Sequence, residues 1–295
     1  MPDTYRDPSK EGAQVRVPFS KQGRAGLMSP SIKKKIKSAA LSAFPALALK
    51  GFSIRSRRMI ETQARELGLD SLARQVSEAT GSRVAAGPFC GMRLDYELFP
   101  VHASPKFLGT YEQELHSVIE KAIQLHPKYV LNIGCAEGFY AVGLAIRLNN
   151  AQVFAADADP KALSATTKNA ELNGVSARVH PVGIIRAGQF SRYLKADASL
   201  LVMDCEGAEF NLLDPANDPI LLRTNMLVEI HHEFGDKREI IRRFAGTHNI
   251  IEIIPSIRTA SEILVGPIKG IDMLRAADER RGYQTEWLFL EVNSQ

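Results

Sequence analysis

Val130-Leu-Asn-Ile-Gly-Cys-Ala-Glu-Gly-Phe-Tyr-Ala-Val-Gly-Leu-Ala145 is the stretch that decides the fold. A hydrophobic strand runs into Gly134, small residues follow at Ala136 and Gly138, and an apolar-periodic helix begins at once. Small residues at this spacing let the backbone turn sharply and lie close to a ligand. The helix N-terminus behind them offers unpaired N–H groups to polar or anionic ligand atoms. A dinucleotide fingerprint carries glycine at its middle position because a pyrophosphate must approach there. Ala136 crowds a diphosphate, which disfavours an NAD-dependent oxidoreductase and favours adenosylmethionine, a nucleoside ligand without phosphate.

Downstream, Gln152-Val-Phe-Ala-Ala-Asp157 is a short strand ending in an acid, 23 residues after Gly134. That register places a carboxylate where it accepts hydrogen bonds from ribose hydroxyls. Asp159-Pro160 then reads as an N-cap with proline at the first helical position, and Asn173-Gly174 closes the helix. Leu200-Leu-Val-Met-Asp-Cys-Glu-Gly-Ala-Glu209 is a buried strand delivering Asp204 and Glu206, and Met226-Leu-Val-Glu-Ile-His-His232 delivers Glu229, His231 and His232. Strand alternation puts Glu229 and His231 on one side and His232 on the other. Titratable groups converging at strand ends mark a functional site.

Strands are predicted at 129–133, 152–156, 177–182, 198–203, 225–231, 249–254 and 286–292, with helices between most of them. The alternation implies an α/β fold: a Rossmann-like, seven-stranded, mostly parallel sheet with helices on both faces and its sites at the carboxyl ends of the strands. Upstream, Leu115, Val118, Ile119 and Ala122 form a helical face, and Gly87-Pro88 and Gly91 mark an irregular stretch. Residues 55–79 read as a helix burying Ile60, Leu67, Leu72 and Val76.

Residues 1–60 carry thirteen basic and three acidic residues, a net of +10, whereas the remaining 24 basic and 30 acidic residues give −6. A nucleic-acid enzyme would place its basic patch around the active site, so this distribution weighs against DNA or RNA as substrate. Residues 1–30 read as a disordered basic tail. Ile32, Ile36, Ala40 and Phe44 give the basic segment 31–50 an amphipathic helix; it is expected to pack on its own domain or a partner, with peripheral contact to an anionic membrane surface as the alternative. Residues 31–104 form a mainly helical N-terminal extension, and 105–295 the α/β domain. Three scattered cysteines, Cys90, Cys135 and Cys205, fit reduced thiols and a cytoplasmic protein. The run Lys33-Lys34-Lys35 followed by apolar residues imitates an export signal, but it lies some thirty residues in and contains Pro45.

Gly109-Thr-Tyr-Glu112, the Asn132–Tyr140 loop, Asp157, Asp204-Cys-Glu-Gly-Ala-Glu209 and Val228-Glu-Ile-His231 together resemble the FkbM-type family of class I S-adenosylmethionine-dependent methyltransferases, over roughly residues 105–245. The resemblance implies that Gly134, Ala136 and Gly138 line the methionine and sugar portions of the cofactor, that Asp157 binds the ribose, and that Asp204 lies near the transferred methyl. Asn132, Cys135, Glu137 and Ala158 complete the expected cofactor-binding set. Asn132 stands where an acid is usual, and an amide still accepts a hydrogen bond from the cofactor's amino group without charge assistance. That departure is the one hint of the alternative, a non-catalytic adenosyl-binding or scaffold protein. Gly87-Pro-Phe-Cys-Gly-Met92 and Glu286-Trp-Leu-Phe289 look like segments of FkbM-like proteins from bacterial surface-polysaccharide clusters. The implied acceptor is a hydroxyl on a sugar, glycolipid or small metabolite.

A protonated hydroxyl is a poor nucleophile, so a base or a metal is expected. His231 is the first candidate base and Asp204 or Glu206 the substitute, with Glu229 beside them. Alternatively Asp204, Glu206 and Glu229 hold Mg²⁺ through oxygen ligands.

Overall fold

The protein's structure, a computed structural model, describes residues 67–95, 97–98, 102–256, 271–279 and 285–293. The expected tail over 1–30, the basic segment 31–50 with its short helix ended by Pro45, and Ile60 lie outside the described residues. In chain order the elements are α1 (Leu69–Ala79), α2 (Ala103–Leu108), α3 (His116–Gln124), β1 (Tyr129–Ile133), α4 (Phe139–Arg147), β2 (Gln152–Ala156), α5 (Pro160–Leu172) and β3 (Val179–Val182). There follow β4 (Ser199–Met203), α6 (Glu209–Leu212), β5 (Asn225–His231), α7 (Lys237–Phe244), β6 (His248–Ile253), α8 (Ile271–Ala277) and β7 (Thr285–Val292). The sheet order is β3-β2-β1-β4-β5-β7-β6. β1 to β5 pair in parallel, and β7 enters antiparallel between β5 and β6. Every strand falls within two residues of its predicted span, and the fold is the Rossmann-like sheet that the alternation implied.

The central strands are almost continuously apolar because both of their faces are covered. Val130, Val153, Leu200, Val202, Leu227, Trp287 and Phe289 belong to one apolar cluster, with residues of α1, α3 and α4. Their strand neighbours Leu131, Leu201, Met203, Met226, Val228, Leu288 and Leu290 belong to a second, with Phe210 of α6 and Ile240 and Phe244 of α7. Two-residue alternation thus divides each strand between two cores.

α5 starts where its cap predicts: Asp159 Oδ1 accepts from Lys161 N at 2.9 Å with Pro160 in the first turn, a contact worth about 1 kcal/mol. Of the helix expected over 55–79, residues 55–66 lie outside the described residues; Gly68, at φ 69°, caps α1, so Leu67 precedes α1 and is 55% exposed instead of buried. Leu72 and Val76 are buried as predicted. The expected boundary between residues 104 and 105 falls inside α2, and Leu69, Val76, Val84 and Phe89 share one apolar cluster with β1 and β2. Gly143 of α4 leaves room for the Phe89 ring, which a Cβ there would meet at 2.5 Å. The stretch ahead of the sheet is therefore packed against it. No helix among the described residues is long and apolar enough to cross a membrane.

Candidate active site

The turn after β1 is built by close backbone approach. Gly134 has φ 78°, and a Cβ on it would lie 1.5 Å from the carbonyl oxygen of Asp204. Gly134 N and Cys135 N both donate to Ala156 O, at 2.8 and 3.0 Å, and Asp204 N donates to Ile133 O at 2.9 Å. The loops after β1, β2 and β4 are thereby tied at one point. Gly138, at φ 89°, caps α4, with Thr166 of α5 3.0 Å from where its Cβ would be.

Asp157 is fixed by backbone amides: Ala136 N donates to Oδ2 at 3.1 Å and Asp159 N to Oδ1 at 2.8 Å. Ala136 holds φ 49° to present that amide, a conformation costing a non-glycine residue about 1 kcal/mol. Ala158 is half-buried at the following bend. Asn132 donates weakly to Val202 O at 3.4 Å, while its Oδ1 is buried without a hydrogen-bond partner. Glu137 pairs with the buried Lys106 ammonium, and its Oε2 is a second buried acceptor without a partner. The Cys135 side chain turns away into the core against Thr166, at 3.4 Å. Burial pushes its thiol up to about 12, so Cys135 serves this loop through its backbone.

Two groups missed in the sequence reading close this side. Lys106 of α2 lies 4.5 Å from the Tyr111 ring centroid while pairing with Glu137. Tyr140 donates its hydroxyl to Glu112, which sits at φ 47°. Glu112 had a signal in the Gly109–Glu112 motif. Lys106 had none, because its partner is 31 residues away.

On the other side of Gly134, β4 and β5 bring together every predicted catalytic residue. His231 Nε2 stands 3.6 Å from Asp204 Oδ1, 3.6 Å from Glu229 Oε2 and 3.9 Å from Glu206 Oε2. Its other nitrogen, Nδ1, lies 3.1 Å from Glu209 Oε1. Glu209 is wholly buried and also accepts from His231 N and Gly207 N, both at 2.9 Å. This orienting carboxylate was part of the quoted motif but had no role assigned to it. His232 points the other way, as alternation requires, and pairs with Glu286 at 2.5 Å. Glu206 adopts φ 56° and keeps 56% of its side chain in solvent.

Desolvation and the neighbouring acids raise the proton affinity of Asp204 and Glu206. The Asp204 side chain is 34% exposed, yet its carboxyl sits deep among neighbouring groups. Desolvation, then the charge of Glu229 and a hydrogen bond with it, hold Asp204 well above the carboxylate range. At His231 burial opposes the charge, but the Glu209 hydrogen bond and the charges of Asp204, Glu209 and Glu229 outweigh it and carry the imidazole up to about 10. His231 is therefore an imidazolium at neutral pH, and the groups able to take a proton are carboxylates. Among the described residues, Asp204, Glu229 and His231 each offer one donor atom, and these atoms all lie within 4.8 Å of one another.

Residues 115–198 match the family model of ribosomal protein L11 methyltransferase (PrmA). A release factor glutamine methyltransferase of Chlorobaculum tepidum is 36% identical over 116 residues, covering 39% of this chain and 32% of that protein. A ribosomal protein L11 methyltransferase of Acinetobacter baylyi is 41% identical over 75 residues, covering 25% and 23%. The chain thus spans a third or less of the length of these two relatives. A Podospora anserina methyltransferase solved with S-adenosylhomocysteine is 14% identical, with a TM-score of 0.40 over 62% of this chain and 78% of that one. Over this segment the chain is therefore similar to known methyltransferases, and its sheet order is that of a Rossmann-like fold.

Proposed function

We propose that this chain is an S-adenosylmethionine-dependent methyltransferase of the FkbM type, transferring a methyl group to a hydroxyl oxygen of a small molecule or glycan. The observation that carries the reading is the contact between Gly134 and the Asp204 carbonyl, which sets a nucleoside cradle directly against a carboxylate-rich edge. The buried cradle also fits the cofactor's chemistry. Asn132 Oδ1 and Glu137 Oε2 are acceptors in want of a donor, which the ammonium of the methionine moiety provides. Asp157 stands ready for the ribose hydroxyls, its carboxylate already aimed by two amides.

Adenosylmethionine supplies an already activated methyl, so the protein's part is alignment and removal of the acceptor's proton. Glu206 is the carboxylate of the cluster most open to solvent and to an arriving acceptor, and we assign it the proton. Glu209 keeps His231 oriented, and the His231 imidazolium offsets part of the negative charge around it.

A second reading, methylation of a protein nitrogen, is favoured by the names of the matched relatives. The family-model match ends at residue 198, before β4, so that match does not reach the carboxylate cluster. Calorimetry separates the cofactor alternatives. S-adenosylhomocysteine should bind and NAD should not, and Asp157→Ala should weaken binding by about 1.5–3 kcal/mol, roughly 10- to 100-fold. Binding of NAD alone would overturn the reading.

A further inference from the structure

His231 is nine-tenths buried, and its Nε2 makes no hydrogen bond. Instead, an oxygen of Asp204 and an oxygen of Glu229 each stand 3.6 Å from it. That spacing is too long for hydrogen bonds and close to the separation of atoms sharing an ion. Metal–ligand bonds of about 2.1 Å set neighbouring ligand atoms about 3.0–3.4 Å apart. The opposite ring nitrogen is held by Glu209, itself wholly buried. A carboxylate gripping one imidazole nitrogen so that the other is presented is the outer-shell arrangement of metal-bound histidines. Asp204 and Glu229 come from adjacent strand ends, so the sheet itself fixes the opening between the three donors.

We propose that Asp204, Glu229 and His231 form a divalent-cation site with one imidazole and two carboxylate donors, which takes Mn²⁺ ahead of Mg²⁺. The preference follows from the donors: Mg²⁺ is held by oxygen and water, whereas an imidazole suits later first-row ions and carboxylates suit Mn²⁺. An ion binding there displaces the proton that His231 otherwise carries on Nε2, and three protein donors leave coordination positions open beside the 34% exposed Asp204 side chain. An acceptor oxygen bound there would lose its proton more readily, and Glu206, just outside the donor set, would be left to receive it. This last step rests on the methyltransfer reading; the cation site itself does not.

The test is a titration of the full chain with Mn²⁺, followed by electron paramagnetic resonance and calorimetry, with S-adenosylhomocysteine titrated in parallel. One Mn²⁺ per chain is expected, with spin-echo modulation from an imidazole nitrogen and no displacement by excess Mg²⁺. Asp204→Asn should weaken Mn²⁺ binding at least tenfold, and the remote exposed Asp197→Asn should leave it unchanged. Absence of a stoichiometric site, or of the nitrogen modulation in the wild-type protein, overturns the proposal without relying on any variant. Homocysteine-analogue binding without Mn²⁺ binding sinks the cation site alone; the reverse pattern sinks the methyltransfer reading alone.

Discussion

The two sides of Gly134 are built from different materials. On the cofactor side the backbone does most of the work: two positive-φ glycines, a strained Ala136 and amides that aim one acid, Asp157. On the acceptor side the side chains do it: four carboxylates converge on one imidazole. A backbone cradle depends on what residues lack, and a fixed ligand such as a nucleoside suits it. A side-chain cluster depends on charge, and retuning it changes the chemistry without disturbing the cradle. The match to the L11 methyltransferase family model ends at residue 198, just before β4.

The comparison breaks most severely at the point the two sides share. Gly134→Ala would drive a methyl into the Asp204 carbonyl and hold alanine at φ 78°. We expect a loss of about 3–5 kcal/mol, read from the urea midpoint, together with loss of S-adenosylhomocysteine binding. Glu209→Gln should separate the sides. It removes the buried charge that holds His231 and Gly207, so stability should fall by about 2–3 kcal/mol. Affinity for S-adenosylhomocysteine should stay within about twofold, since no cofactor-side group is touched; a larger loss would show the two sides to be coupled.

The smallest effect belongs to neither side and sets the baseline for pH experiments. His248 opens β6, where burial lowers its proton affinity despite hydrogen bonds near Thr224 and Phe244. A histidine depressed in the folded state contributes fully above its ordinary value of 6.5, and that stability is lost as pH falls, because the unfolded chain binds the proton first. His248→Gln should flatten the acid side of a stability-versus-pH curve. An unchanged acid limb would assign that dependence to another group.

The cofactor side was legible in the sequence because its signals are local. The Gly134, Ala136 and Gly138 spacing, Asp157 at a strand end and the Asp159-Pro160 cap each lie within one strand–turn–helix unit, and each was found in its predicted place. The acceptor residues were also named, because strand periodicity orients Glu229 and His231 together. Their roles were not readable. That His231 carries its proton follows from Glu209, 22 residues away, and from acids on the neighbouring strand. Lys106 on Glu137 and Tyr140 on Glu112 are likewise encounters across the fold. Leu67 failed for a local reason: the helical period runs through it, but Gly68 caps α1 and leaves Leu67 outside that helix.

The antiparallel β7 also bears on how the molecule comes into being. It lies between two strands that the ribosome makes before it, so β6 cannot join the sheet until the polypeptide has doubled back from residue 285 onward. Until then the outer edge of β5, with His231 opposite the place Thr285 will take, is an open row of amides and carbonyls available to any other extended chain. A nascent chain cut short ahead of β7 would carry all the residues of its cradle and an unguarded edge on β5, which makes the last strand the cover of that edge.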